Sequence, residues 1–175
     1  MIPDKLQGFM CYNSGSQMIG VADVVLPTLA HMTDTISGAG ILGEVDTPSI
    51  GNFQSLTTTI NWRSLTNGNI DVSGPNTKHF DFRGSMQFYN KSTGRQETQA
   101  LKVVMRCNNK STTLGNLGIA IQMGTATEYE VTYILIAIEG QTVKEIDKFN
   151  HIYRGLENGR MVDYLAKVRQ DLGLS

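Results

Sequence analysis

From Lys78 to Tyr89 the side chains change character with a period of two. Phe80, Phe82, Met86 and Phe88 fall on one side, and His79, Asp81, Arg83, Ser85 and Gln87 on the other. That period belongs to a β-strand with one buried face. Glu97 to Cys107 repeats it, with Leu101, Val103, Met105 and Cys107 inward and Lys102 and Arg106 outward. Asn90-Lys-Ser-Thr-Gly-Arg95 between them has turn chemistry, so the two segments are expected to form a hairpin. Glu128 to Glu139 reads as the strongest strand. Its second half, Tyr133-Ile-Leu-Ile-Ala-Ile138, is apolar on both sides and therefore calls for cover on both faces. Glu139-Gly140-Gln141 reads as a tight turn into a strand from Thr142 to Asp147.

The first third is also expected to be β. Gly8 to Tyr12 leads into a turn at Asn13-Ser-Gly-Ser16, and Gln17 to Leu26 runs up to Pro27. Thr28 to Ser37 alternates, with Ala30, Met32 and Ile36 on one side, and Phe53 to Trp62 is rich in β-branched threonine. Gly38 to Gly51 shows no period and reads as a long loop; Asn61 to Thr77 is polar and irregular, with room for one short helical turn. At the C-terminal end Met161, Leu165, Val168 and Leu172 recur at helical spacing. A helical segment over 158–173 is expected, capped by Asn158 and closed by Gly173. No repeat or linker divides residues 1–175. The expected class is mainly β, a β-sandwich or barrel-like unit with a short C-terminal helix.

Composition narrows the function. The chain has 175 residues, of which 18% are charged, with a formal net charge of -1. Such a charge-poor, near-neutral surface favours contact between copies. The scattered lysines and arginines form no basic cluster of the kind a duplex-DNA binder carries. Cys11 and Cys107 stand far apart without a CxxC partner and are expected to be reduced. The N-terminus lacks a signal-peptide pattern, and Tyr133 to Ile138 is too short to span a bilayer; no membrane binding is expected, and synthesis is expected in the cytoplasm.

Chemistry-bearing patterns fail one by one. Gly38-Ala-Gly40-Ile-Leu-Gly43 matches G-x-G-x-x-G, but no amphipathic helix opens after it and no acid follows about twenty residues on, so no dinucleotide site is expected. His31, His79 and His151 lack partners at metal-ligand spacing and read as surface residues. Asp34, Glu44 and Asp46 could ligate calcium only outside EF-hand spacing. Glu128 and Glu130 share a strand face, where a solvated edge is preferred to a catalytic pair. Cys107 faces inward as a core residue, and Asn90-Lys-Ser92 and Asn109-Lys-Ser111 are glycosylation acceptors only in a secreted chain. Neither catalysis nor a cofactor is expected. The alternative is a ligand- or carbohydrate-binding β-sandwich using Trp62, Tyr89 and Tyr129 as exposed aromatics.

Several segments taken together resemble the major tail tube proteins of contractile-tailed phages. They are Gly20-Val-Ala-Asp-Val-Val-Leu-Pro-Thr-Leu29, Ser37-Gly-Ala-Gly-Ile-Leu-Gly43, a strand of the Phe53–Trp62 type, Val131-Thr-Tyr133, Glu139-Gly140, Lys144-Glu-Ile-Asp147, Asn150 and Val168-Arg-Gln-Asp-Leu-Gly-Leu174. The likeness covers about four fifths of the chain and is weakest from Arg63 to Thr77. It implies hexameric rings, whose strands join one intersubunit barrel, stacked inside a contractile sheath; R-type bacteriocin tubes are related. The stacking loop would be Gly38, Ala39, Gly40, Ile41, Leu42, Gly43, Glu44, Val45, Asp46, Thr47 and Pro48, within an extended segment 38–51. Intersubunit strand candidates are Thr57, Thr58, Thr59, Lys102, Arg106, Glu128 and Glu130. Implied partners are the chain itself and sheath, tape-measure, baseplate and tail-terminator proteins. DNA could pass through the lumen without specific binding. The place would be the bacterial host cytoplasm during assembly, then the virion tail or bacteriocin particle.

Overall fold

The structure is a computed structural model that describes residues 2–14, 17–19 and 23–174. The chain is mainly β. In chain order its elements are β1 (Ile2–Asn13), β2 (Gln17–Ile19), β3 (Asp23–Val25), β4 (His31–Ser37), β5 (Glu44–Phe53), β6 (Thr57–Trp62), α1 (Asn67–Val72), β7 (Lys78–Asn90), β8 (Arg95–Thr113), β9 (Thr125–Ile138), β10 (Gln141–Asp147), β11 (Ile152–Glu157), β12 (Arg160–Asp163) and α2 (Ala166–Asp171). Residues 15–16 of the first expected turn and residues 20–22 of the expected Gln17–Leu26 strand lie outside the described residues.

One antiparallel sheet runs β12-β11-β10-β9-β8-β7-β1-β2, with β6 also on β9 and β3 on β6. It is open, not a closed barrel. The long strand β9 divides its second side: Thr125–Glu130 pairs with β6, and Tyr133–Ile138 pairs with β10. Register breaks in the β8–β9 ladder, between Arg106 and Cys107 and between Asn109 and Ser111, bend the sheet near that division. The core sits inside the bend, around Phe80, Trp62, Ile60, Met105, Tyr129, Val131 and Ile134. Helix α1 plugs one end: Thr66 and Asn69 form a capping box, and Val72 is buried. The short helical turn expected in 61–77 is this helix.

Several strands follow the expected period closely. The 78–107 hairpin forms in the expected register, with Asn90 opposite Arg95. Its outward side is less simple, because Asp81 and Gln87 are buried as well. Glu139 and Gly140, at φ 51 and 78, make the two-residue β9–β10 turn with positive φ at both positions.

Two expectations need correction. Gly38–Gly51 is not one long loop: only Gly38–Gly43 turns, and Glu44–Phe53 is strand β5, paired with β4. This two-stranded ribbon is exposed on nearly all positions, so no buried side imposes a period of two on its residues. Its partner strand begins at His31, not Thr28, and its Met32 and Ile36 face solvent. The segment 158–173 is not one helix either. Asn158 and Gly159, at φ 49 and 78, form a second two-residue hairpin turn, and Met161 lies on β12. Asn158 therefore caps nothing, and α2 is confined to Ala166–Asp171. Its expected end holds: Gly173 takes φ 70, and the Leu174 N–H donates to Arg169 O at 2.9 Å.

Candidate functional site

The β4–β5 ribbon is a separate two-stranded sheet, and its root is heavily tied. Phe53 meets Tyr153 edge-on at 5.0 Å and His31 at 4.6 Å. His31 therefore sits in an aromatic cluster and is not a surface residue, whereas His79 and His151 are exposed. The Gln54 N–H donates to Ala30 O at 2.9 Å, and the Lys148 ammonium donates to Gln54 O at 3.0 Å and to Glu130 Oε1 at 2.9 Å. Glu130 also accepts from the Ser55 hydroxyl at 2.5 Å and the Leu56 N–H at 3.2 Å. Partial burial works against its charge, but these donors win and hold the carboxyl below its ordinary range. Glu130 is thus a strut at the ribbon's root, while Glu128 pairs with Lys110 at 2.9 Å.

The far end is a glycine turn. Gly38, Gly40 and Gly43 have φ of 144, 96 and 105, a backbone path that side chains disfavour. The turn carries Leu42 fully into solvent, at 107% relative exposure. The G-x-G-x-x-G stretch is therefore a ribbon tip between antiparallel strands, not the strand-to-helix turn that cradles a pyrophosphate. Ala39 and Ile41 share this tip, and Glu44, Val45, Asp46, Thr47 and Pro48 lie on β5. Asp34 and Asp46 serve the ribbon itself: Asp34 accepts from the Thr35 N–H at 3.0 Å, and Asp46 from the Thr35 hydroxyl at 2.6 Å. Among the described residues no group of three or more His, Cys, Asp or Glu is placed to hold a metal ion.

The other candidates lie on strands that are already paired on both sides. Thr57, Thr58 and Thr59 are on β6, between β3 and β9, and the buried Thr58 hydroxyl donates to Val25 O at 2.7 Å. Lys102 and Arg106 are on β8, and Glu128 and Glu130 on β9, both interior strands. Their backbones have no free ladder to offer another copy. The free edges are elsewhere, at β12 and along Ile2–Met10 of β1, because β2 covers only Cys11–Asn13. The aromatic alternative also needs correction. Trp62 is 2% exposed and donates to the Thr127 hydroxyl at 3.2 Å, and Tyr129 is buried and donates to Val72 O. Of the three, only Tyr89 reaches solvent.

One surface went unread in the sequence. The loop between β8 and β9 exposes Leu114, Leu117, Ile119 and Ile121, with Leu117 and Ile119 at 91% and 99%. Its root is closed by Asn116 N–H to Met123 O at 2.8 Å and by the Thr125 hydroxyl to Leu114 O at 3.1 Å. A Cβ at Gly115 would fall 2.1 Å from Met123 O. The available signal was four aliphatics in eight residues outside any period.

None of this is a pocket for chemistry; it is a set of surfaces built for contact. No helix is long and apolar enough to cross a membrane. No curated protein matches the sequence. The model of the family described as phage tail tube protein FII matches residues 3–173, and the chain belongs to that family of structural tail tube subunits.

Proposed function

We propose that the chain closes into hexameric rings that stack as the inner tube of a contractile tail. The observation that carries this reading is the β4–β5 ribbon, exposed along both faces and tipped by Leu42. An isolated two-stranded ribbon is marginal in water, so a neighbour's cover is what would hold it in one shape. Residues Gly38–Pro48 are the stacking element in this reading, reaching the adjacent ring.

Ring closure needs two different sticky ends on one sheet, because a head-to-tail contact closes when its rotation allows. The open edges of β1 and β12 supply them at opposite ends of the same strand order. Pairing β12 of one copy with β1 of the next would remove both edges, which otherwise invite aggregation. The aliphatic loop Leu114–Ile121 gives a further apolar surface to bury between copies. Sheath, tape-measure, baseplate and terminator proteins would meet the finished tube, first in the bacterial cytoplasm and then in the particle. DNA delivery by a phage and membrane puncture by an R-type bacteriocin would use the same wall.

The test is electron microscopy of purified protein, wild type against Leu42→Asp and a deletion of 39–42. Wild type is expected to show six-fold rings and tubes, and the variants folded subunits or single rings. Tubes of normal length from the deletion would remove the stacking role, and a strictly monomeric wild type at high concentration would overturn the ring.

A further inference from the structure

One face of the sheet carries a continuous row of paired residues from edge to edge: Tyr12, Asp81, Val104, Leu135, Glu145, Arg154 and Asp163. Beside it on the same face run Met10, Arg83, Lys102 and Ala137, and on its other side Arg106, Tyr133 and Asp147. The rows between point the opposite way and are apolar, as in Cys11, Phe82, Val103 and Ile136. That apolar face packs on the core under the ribbon root and β3. The charged face has no such layer over it, as expected of an antiparallel sheet with one wet side.

Every lysine and arginine of these three rows already has a carboxylate. Arg83 lies 2.7 Å and Lys102 3.6 Å from Asp81, Arg106 lies 3.7 Å from Asp147, and Arg154 lies 3.4 Å from Glu145 and 3.2 Å from Asp163. Two of the guanidinium groups also sit over rings of the same face, Arg83 over Tyr12 at 4.7 Å and Arg106 over Tyr133 at 4.3 Å. Four cations thus stand against the four carboxylates Asp81, Glu145, Asp147 and Asp163. The cations are half-exposed and the acids lie beneath them, with Asp81 and Asp147 buried.

The geometry points to this face as the surface past which a polyanion, double-stranded DNA, travels without being held. Phosphate affinity comes from Lys and Arg that displace counterions, and a cation whose charge is already matched by a fixed carboxylate displaces few. The inference rests on the tube reading. In a ring closed through β1 and β12, the inner perimeter is the shorter one. The ribbon and α2, layered on the apolar side, then belong outside, which turns the charged face to the bore. The buried acids are in this view the device that keeps the bore slippery despite its arginines.

The test compares wild type with Asp81→Asn, a substitution of matched shape that leaves Arg83 and Lys102 without their carboxylate. Tubes counted by microscopy are titrated with short double-stranded oligonucleotides across a salt series. Wild type is expected to retain no DNA at moderate salt. Asp81→Asn is expected to retain it, with a log–log salt slope of about -2, one phosphate for each freed cation. Adding Arg83→Gln and Lys102→Gln to that variant is expected to abolish retention. Glu145→Gln, which removes one of two acids from Arg154, is expected to give a smaller gain and serves if Asp81→Asn does not fold. Equal DNA retention by wild type and the acid variants overturns the inference while leaving the tube intact. If no tubes form, the tube reading fails by itself, and the same titration on subunits, where this face is bare, still decides between neutralised and adhesive cations.

Discussion

Leu165 fills the space directly over Gly51: a Cβ at position 51 would lie 2.5 Å from Leu165 Cδ2 and 2.7 Å from Cδ1. This contact joins the root of the β4–β5 ribbon to the segment leading into α2. Gly51 also has φ 77, which costs any side chain. Leu165 is buried and has little room to withdraw. Gly51→Ala is expected to lower stability by about 1–3 kcal/mol. Denaturant unfolding would measure the loss, and amide exchange should quicken first at His31–Ser37 and Glu44–Phe53.

Asp163 ties the last strand to the last helix. It accepts from Arg169 at 2.6 Å, from Arg154 at 3.2 Å and from the Leu165 N–H at 3.1 Å. The Arg169 hydrogen bond, ahead of the opposing effect of burial, holds its carboxyl down at about 2. A depressed carboxylate stabilises the fold above its unfolded value of 3.8, and that contribution fades as pH falls toward 2. Discounted for solvent screening, it is about 1 kcal/mol at neutral pH. Asp163→Asn is expected to cost that much at pH 7 and almost nothing at pH 2. Paired urea titrations at the two pH values would show a constant difference if the ion pairs were idle.

Tyr129 donates its hydroxyl to Val72 O at 3.0 Å, linking β9 to the end of α1 in the core. Tyr129→Phe leaves a buried carbonyl unpaired and is expected to cost about 1–3 kcal/mol. The loss should appear as faster exchange in Asn67–Val72 as well as in the global midpoint. An unchanged midpoint would mean that water replaces the hydroxyl.

Burial raises the Cys11 thiol to about 12, with Asp81 adding to the effect, and burial likewise raises the Cys107 thiol to about 12. Thiolate is the reactive form, so both should resist alkylation at neutral pH until the chain unfolds. Mass spectrometry before and after denaturation would count the labels. Rapid labelling of the native protein would show that β1 opens readily from β7.

Legibility tracked burial. The hairpin of β7 and β8 could be read because Phe80, Phe82, Val103 and Met105 face a core on one side only. The ribbon could not, because solvent on both faces leaves its residues free of any period. The Asn158-Gly159 turn was hidden by a coincidence: Met161, Leu165 and Val168 match a helical spacing although β12 and α2 divide them. The dipeptide itself is a strong hairpin signal and should outweigh three aliphatics. The glycine tip, by contrast, was correctly placed in chain position, since its glycines are needed wherever a backbone turns with positive φ.

By itself, the sequence determined the mainly β class, the order of the long strands, the failure of each catalytic pattern and the resemblance to tail tube proteins. These depend on residue types and near spacing, which are local properties of a chain. Tertiary structure alone decided which strands keep an open edge, since an edge is the absence of a neighbour distant in sequence. It moved the free ladders to β1 and β12 and away from Thr57–Thr59 and the β8–β9 candidates. It also decided that the scattered charges of five strands stand in register on one face. Asp81 and Asp163 are 82 residues apart in the chain, yet antiparallel pairing sets them in a single row.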